Sequence, residues 1–163
     1  FICRCLLAGL RLLTNLSVTN NYHHMMTDAI LCFLHLLSAG NERTQIQVLK
    51  VLVNLSANPA MTRHLLSAQA PSLLSLFDNC INKEILLRAL MFAANLNENM
   101  KNEEGIITQN QYSEDSIFSL LFGHSTQYAQ KLLCLLHHHD TEVKEQVAKI
   151  ITQRRGDALR QNW

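Results

Sequence analysis

Three consecutive histidines followed by an aspartate, at 137–140, form a cluster that looks suited to metal binding. Imidazole and carboxylate groups are common zinc ligands. Consecutive residues on a helix point about 100° apart, so three adjacent histidines cannot converge well on one ion. No Cys-His or HExxH spacing accompanies them. We therefore expect no metal, no other cofactor and no catalytic site, and a hydrolase or metal enzyme that uses residues 137–139 is the enzymatic alternative.

A second kind of chemistry is the recognition of a peptide by amide and basic side chains. Residues four, seven and eleven positions before an asparagine share its helix face. Three such stripes occur: Arg4-Ala8-Arg11-Asn15, Arg43-Gln47-Lys50-Asn54 and Glu84-Arg88-Met91-Asn95. An Asn side chain offers a donor and an acceptor to a peptide unit, and Arg pairs with carboxylates through two hydrogen bonds. The stripes therefore predict a basic groove that binds an extended segment of a partner protein.

The groove prediction assigns eight candidate binding residues. They are Arg11, Asn15, Arg43, Gln47, Lys50, Asn54, Arg88 and Asn95. Five of the seven bases within residues 1–95 lie on the three stripes. Two other interpretations stay open: the stripes are the solvated faces of amphipathic helices, or each Asn bonds to a neighbouring helical turn as a structural element.

The elements that position these stripes follow from the spacing of the asparagines. Asn15, Asn54 and Asn95, each followed by Leu, are 39 and 41 residues apart. A helical period near 40 is typical of armadillo and HEAT solenoids, and the shared Asn-Leu favours armadillo. We predict an all-α, armadillo-like, right-handed α-solenoid of about three to four repeats, truncated on its N-terminal side.

Local capping signals divide the repeats into helices. Gly40-Asn41, Asn58-Pro59, Pro71 and Asp140 predict helix starts. The expected helices cover residues 42–56, 59–68, 71–77 and 141–153. Two whole repeats are expected at 21–56 and 57–97, and a degenerate one at 114–138.

Between the repeats, the polar stretch 97–113 predicts a long loop. Five acids and one base lie within 97–115, so this loop could compete with a partner for the basic groove. We place the repeat domain at 1–153, with the loop inside it, and a C-terminal tail at 154–163.

Composition narrows the function classes. The chain has 163 residues and a formal net charge of +1, which gives no electrostatic reason to expect binding to nucleic acid or anionic membranes. Five scattered cysteines indicate a reducing compartment rather than a disulfide framework. The chain starts without Met inside an apolar helical run, so we expect a piece of a longer protein.

Four segments carry a family resemblance. They are 9–20 (GLRLLTNLSVTN), 58–63 (NPAMTR), 109–113 (QNQYS) and 138–144 (HHDTEVK). They resemble the C-terminal armadillo-like domain of the X-linked armadillo-repeat-containing (Alex) proteins. That domain is related more distantly to the G-protein-coupled-receptor-associated sorting proteins. The similarity runs from about residue 1 to 152, and the end at 154–163 does not look like the family.

The resemblance implies an adaptor rather than an enzyme. Alex-like proteins are anchored in the outer mitochondrial membrane by an N-terminal segment and act in mitochondrial distribution, transport and dynamics through the Miro and TRAK machinery. The implied location is the cytosolic face of that membrane, or the cytosol or nucleus for a fragment without the anchor. The related sorting proteins imply the alternative, an adaptor for receptor cytoplasmic tails or transcriptional partners.

Overall fold

The computed structural model describes residues 2–102 and 111–160, and the regular secondary structure of this part is helical apart from one isolated β-bridge. The α-helices are α1 Ile2–Leu16, α2 Ile30–Ala39, α3 Glu42–Ser56, α4 Thr62–Ser67, α5 Lys83–Asn102, α6 Ile117–Phe122, α7 Gln127–Leu135 and α8 Thr141–Arg160. Three 3₁₀ segments, Asn20–Ala29, Pro59–Met61 and Leu73–Phe77, complete the set. The prediction of an all-α armadillo-like solenoid is confirmed.

The long helices α1, α3 and α5 stack side by side and form the axis of the fold. α3 follows the 3₁₀ segment Asn20–Ala29 and α2, whereas α5 follows the 3₁₀ segment Pro59–Met61, α4 and the 3₁₀ segment Leu73–Phe77. α2 packs on α3, whereas α8 packs on both α5 and α7 and closes the C-terminal side. The predicted helix 42–56 is confirmed, and the two predicted short helices contain 3₁₀ turns at 59–61 and 73–77.

Side-chain caps fix where the helices begin. Asn41 accepts a hydrogen bond from the Thr44 amide at 3.0 Å, and Asn58 accepts one from the Ala60 amide at 3.1 Å. Asp140 accepts bonds from the first amides of α8. Each cap satisfies a backbone donor that the helix itself leaves free.

The core lies where the long helices meet. Five apolar side chains of α3 have no solvent exposure, because α1, α2 and α5 cover them. They are Val48, Leu49, Val51, Leu52 and Leu55. Truncating one such leucine to Ala would cost about 2–5 kcal/mol. The central long helix is therefore the part of the fold on which both neighbouring repeats depend.

The predicted loop at 97–113 starts too early. Helix α5 continues to Asn102, because polar residues in its last turns still find partners on α3. Asn99 is buried, and its side-chain nitrogen donates to the Ser56 carbonyl at 2.8 Å. Residues 103–110, the middle of the predicted acidic loop, lie outside the described part of the chain.

The C-terminal boundary also differs from the prediction. Helix α8 runs past 153 to Arg160, so most of the predicted tail at 154–163 continues a helix of the domain. The Arg154 guanidinium carbon lies 5.2 Å from the ring centre of the buried Tyr128, a cation–π contact that joins α8 to α7. The sequence contained no breaker after 153 except Gly156, which a helix tolerates. Residues 161–163 lie outside the described part.

An ion-pair cluster joins the start of α5 to the start of α8. The Lys83 ammonium lies 2.8 Å from an Asp140 carboxylate oxygen and 3.0 Å from one of Glu142. The hydrogen bond from Lys83 lowers the pKa of the Asp140 carboxyl below its ordinary value.

Within residues 2–102 and 111–160, no helix combines the length and the apolar character needed to cross a bilayer.

A buried histidine ties the first repeat to the second. His23 is buried, its Nε2 donates to the Ser17 carbonyl at 2.8 Å, and its Nδ1 accepts from the Asn58 side-chain nitrogen at 3.0 Å. Both ring nitrogens are therefore satisfied only in one neutral tautomer. The same Asn58 caps the turn at Pro59. A series of hydrogen bonds therefore links the end of α1, the 3₁₀ segment Asn20–Ala29 and the turn at Pro59.

We predict that His23→Ala lowers the free energy of unfolding by about 2–3 kcal/mol, because it leaves the Ser17 carbonyl and the Asn58 amide without a partner. Urea unfolding followed by circular dichroism measures the effect. The neighbouring and exposed His24 offers a matched control, and His24→Ala should change the free energy by less than about 0.5 kcal/mol. Equal effects of the two substitutions would refute the role of His23.

Candidate functional site

The three asparagines that define the stripes lie on the long helices, and two of them reach across to the preceding helix. The Asn54 side-chain nitrogen donates to the Ser17 hydroxyl at 3.0 Å. The Asn95 side-chain nitrogen donates to the Ser56 hydroxyl, also at 3.0 Å. Each acceptor Ser stands two residues after the Asn of its own helix. The same bond is therefore made twice, between α1 and α3 and between α3 and α5.

Each acceptor serine also donates a hydrogen bond to a backbone carbonyl three residues earlier in the chain. The Ser17 hydroxyl donates to the Thr14 carbonyl, and the Ser56 hydroxyl donates to the Val53 carbonyl, both at 2.8 Å. These two carbonyls also lie 3.4 Å from the incoming Asn nitrogen. Each contact thus ends on a carbonyl at the C-terminal turn of a helix, and the Val53 carbonyl also accepts from the Ala57 amide at 3.2 Å.

The side-chain amide nitrogens of the predicted groove therefore donate hydrogen bonds that join neighbouring helices. Besides Asn54 and Asn95, Gln47 donates its side-chain nitrogen to the Thr14 hydroxyl at 2.7 Å. These bonds agree with the interpretation, left open by the sequence, that each Asn bonds to a neighbouring helical turn as a structural element. The side-chain oxygens of Asn54 and Asn95 stay unbonded within the described residues, and both side chains are half-buried. These oxygens can still accept a hydrogen bond from a ligand, so that part of the binding prediction stays a prediction.

Asn15 differs from the other two asparagines because the outer face of α1 is open. Leu12 is 60% exposed, whereas its equivalents Val51 and Phe92 are at most 1% exposed. A side chain placed at Gly9 would meet nothing within 4 Å. The exposed Asn15 makes no side-chain hydrogen bond to the residues that the structure describes. Its whole amide group is available to a ligand.

The cations of the stripes fall into two groups. Arg4, Arg11, Arg43 and Lys50, on α1 and α3, form no ion pair within residues 2–102 and 111–160. On α5, by contrast, Arg88 is paired with Glu84 at 3.0 Å. We call the four unpaired cations the basic stripe.

The basic stripe does not continue onto α5, where an apolar residue takes the equivalent position. Met91 occupies the position equivalent to Arg11 and Lys50, and it is 46% exposed. The predicted groove residue Arg88 is therefore neutralised on its own helix, and the face of α5 beside it is apolar. The surface changes from basic to apolar along the stack.

The sequence reasoning missed the serine partners of the asparagines. A signal was present, since Asn-Leu-Ser occurs at 15–17 and again at 54–56. The third copy reads Asn-Leu-Asn, with Asn97 in place of the serine. The Asn97 side-chain nitrogen is buried and has no hydrogen-bond partner among the described residues. The interaction between long helices is thus not continued in the same form after α5.

The histidine cluster has structural contacts in place of ligand geometry. His138 is buried, and its Nδ1 accepts a hydrogen bond from the Asp140 amide at 3.0 Å. The rings of His138 and His139 stack with centroids 4.2 Å apart. Within the described ranges, no group of three or more His, Cys, Asp or Glu side chains is arranged to hold a metal ion.

Comparison with known proteins gives one family. A family model described as armadillo-like matches residues 2–122, which is most of the chain and includes all three long helices of the stack. No solved structure matches the chain.

We predict that Asn54→Ala and Asn95→Ala each lower the free energy of unfolding by about 1–2 kcal/mol, because a buried serine and a helix carbonyl lose a donor. Asn15→Ala is the matched control and should cost less than about 0.5 kcal/mol. Chemical unfolding of the three variants measures the difference. If all three substitutions cost the same, the inter-helix role of Asn54 and Asn95 is wrong.

Proposed function

The chain belongs to the armadillo-like family, and on that premise we propose that it is a non-enzymatic scaffold whose basic stripe binds an acidic segment of a partner protein. Stacked repeats provide an extended surface of this kind. The observation that carries the proposal is the set of four unpaired cations on two adjacent long helices.

The cations favour an acidic partner because none of them is neutralised by a carboxylate within the described residues. Arg4 and Arg43 occupy equivalent positions on α1 and α3, as do Arg11 and Lys50. Packed helices lie about 8–10 Å apart, and an extended chain advances about 3.3 Å per residue. A segment that crosses both helices would therefore carry acidic residues about three positions apart.

Asparagine oxygens and Met91 extend the binding surface beyond the cations. The free side-chain oxygens of Asn54 and Asn95 can each accept a backbone N–H of the bound segment. Asn15 can both donate and accept. The exposed Met91 offers an adaptable apolar contact on α5. The best partner is thus an extended segment that is acidic over α1 and α3 and apolar over α5.

We further propose that the whole protein acts at the cytosolic face of the outer mitochondrial membrane, with the Miro and TRAK transport machinery as partners. The support is the resemblance of segments 9–20, 58–63, 109–113 and 138–144 to the Alex proteins, together with the membership in the armadillo-like family. The alternative partners are receptor cytoplasmic tails, as bound by the related sorting proteins, or transcriptional partners.

We predict that the double variant Arg11→Glu/Lys50→Glu captures Miro and TRAK about tenfold more weakly than the unchanged chain. Two attractive charge contacts become repulsive, at about 0.5–1 kcal/mol each. Quantitative pull-down from neuronal extract measures the loss. Binding by the unchanged chain should also fall as salt rises, because exposed charges are screened.

Two controls separate the parts of this proposal. The variant Lys144→Glu/Lys149→Glu makes the same change of charge on α8 and should bind normally. If the stripe variant retains full capture of Miro and TRAK, the stripe is not their binding site. If the unchanged chain captures neither protein but binds acidic receptor tails on a peptide array, the mitochondrial proposal is wrong and the alternative replaces it.

A further inference from the structure

A cleft lies between α2 and the chain that follows α4, away from the basic stripe. Its volume is about 190 Å³. Its walls come from α2 and from residues 69–72, and they contain Leu31, Leu34, His35, Ser38, Gln69, Ala70, Pro71 and Ser72. A smaller cavity of about 50 Å³ adjoins it and shares Leu34 and Ala70. A cavity of roughly 150 Å³ can hold a benzene molecule, so the cleft has room for one aliphatic or aromatic side chain.

One wall of the cleft is a piece of extended backbone with a free edge. Gln69 pairs with Ser116 in an antiparallel bridge, in which the Ala70 amide donates to the Asp115 carbonyl and the Ile117 amide donates to the Ala68 carbonyl, both at 2.9 Å. Those bonds use the neighbours of Gln69 and not Gln69 itself. Its own N–H and C=O point to the opposite side of the strand.

The free edge has no partner elsewhere in the described chain. No hydrogen bond within residues 2–102 and 111–160 involves the Gln69 amide or carbonyl. Gln69 is exposed. An unpaired N–H and C=O on an exposed edge are a template for pairing with another extended segment.

The cleft is lined by four apolar and four polar residues. None of its lining residues is an acid, a lysine or an arginine. Leu31 stands at its wall with 62% of its surface exposed. The occupant that complements these walls is therefore uncharged, unlike the acidic segment that complements the basic stripe.

We propose that this cleft, which we call the α2 cleft, binds an uncharged extended segment of a partner protein. One residue of that segment pairs with Gln69 in antiparallel register and exchanges both backbone hydrogen bonds with it. An adjacent aliphatic side chain enters the space between Leu31, Leu34 and Ala70. The proposal stands independently of the basic stripe, since none of the cleft residues lies on α1, α3 or α5.

The test uses the peptide acetyl-STLTS-amide and nitrogen-15 NMR spectra of the chain. We expect the amide resonances of Leu31, Leu34, Gln69 and Ala70 to move, with a dissociation constant on the order of 1 mM. Two further peptides carry N-methyl groups on alternate backbone nitrogens, one on the odd and one on the even positions. In one of them the methyl groups remove the N–H donor that faces Gln69. One of the two methylated peptides should therefore bind about fivefold or more weakly.

Substitutions provide the second arm of the test. Leu31→Ser should weaken binding of the peptide about threefold or more, because it removes apolar surface from the wall of the cleft. Leu133→Ser is the matched control, since Leu133 is 54% exposed on α7 outside the cleft. Both positions are exposed, so both variants should fold.

Several results would overturn the proposal. They are an absence of shifts at about ten times the expected dissociation constant, shifts confined to the basic stripe, or equal effects of Leu31→Ser and Leu133→Ser. Movement of the cleft resonances with protein concentration alone would make a second copy the occupant, and the proposed partner segment would then be wrong.

Discussion

The stack of long helices depends on one repeated interaction, the hydrogen bond from an Asn side-chain nitrogen to the Ser hydroxyl of the preceding helix. Asn54 and Asn95 both make it at 3.0 Å. A part-buried amide that lacked this partner would carry a desolvation penalty. Apolar packing of side chains such as Val51 and Leu52 drives the helices together, but it tolerates small shifts. The directional polar contacts at the C-terminal turns fix which residues lie side by side.

The register of the helices explains how a nearly neutral chain can present a charged surface. With the asparagines aligned, Arg11 and Lys50 occupy equivalent places on neighbouring helices, and the third place is taken by Met91. The acid of the third stripe, Glu84, pairs within α5 with Arg88. The charge balance of the chain is therefore the sum of regions that differ in charge. The lining of the α2 cleft contains no acid, lysine or arginine.

The fold was readable from the sequence because the period near 40 residues and the caps at Asn41 and Asn58 are local signals. The role of the asparagines was only half readable. Their common helix face follows from spacing, but which atom each amide would bond depended on the crossing of two helices 39–41 residues apart in sequence. Asn99 shows the same limit, since a polar residue that suggested a loop is held in helix α5 by a carbonyl of α3. The edge at Gln69 left no sequence signal, because it arises from pairing with Ser116 across the chain.

The central claim is that an inter-helix Asn–Ser contact sets the register of the stack, and a double-mutant cycle on Asn54 and Ser17 tests it most directly. The free energies of unfolding of Asn54→Ala, Ser17→Ala and the double variant give the coupling between the two side chains. The account predicts a coupling of about 1 kcal/mol. Strictly additive effects would contradict it, because two residues that do not interact show no coupling.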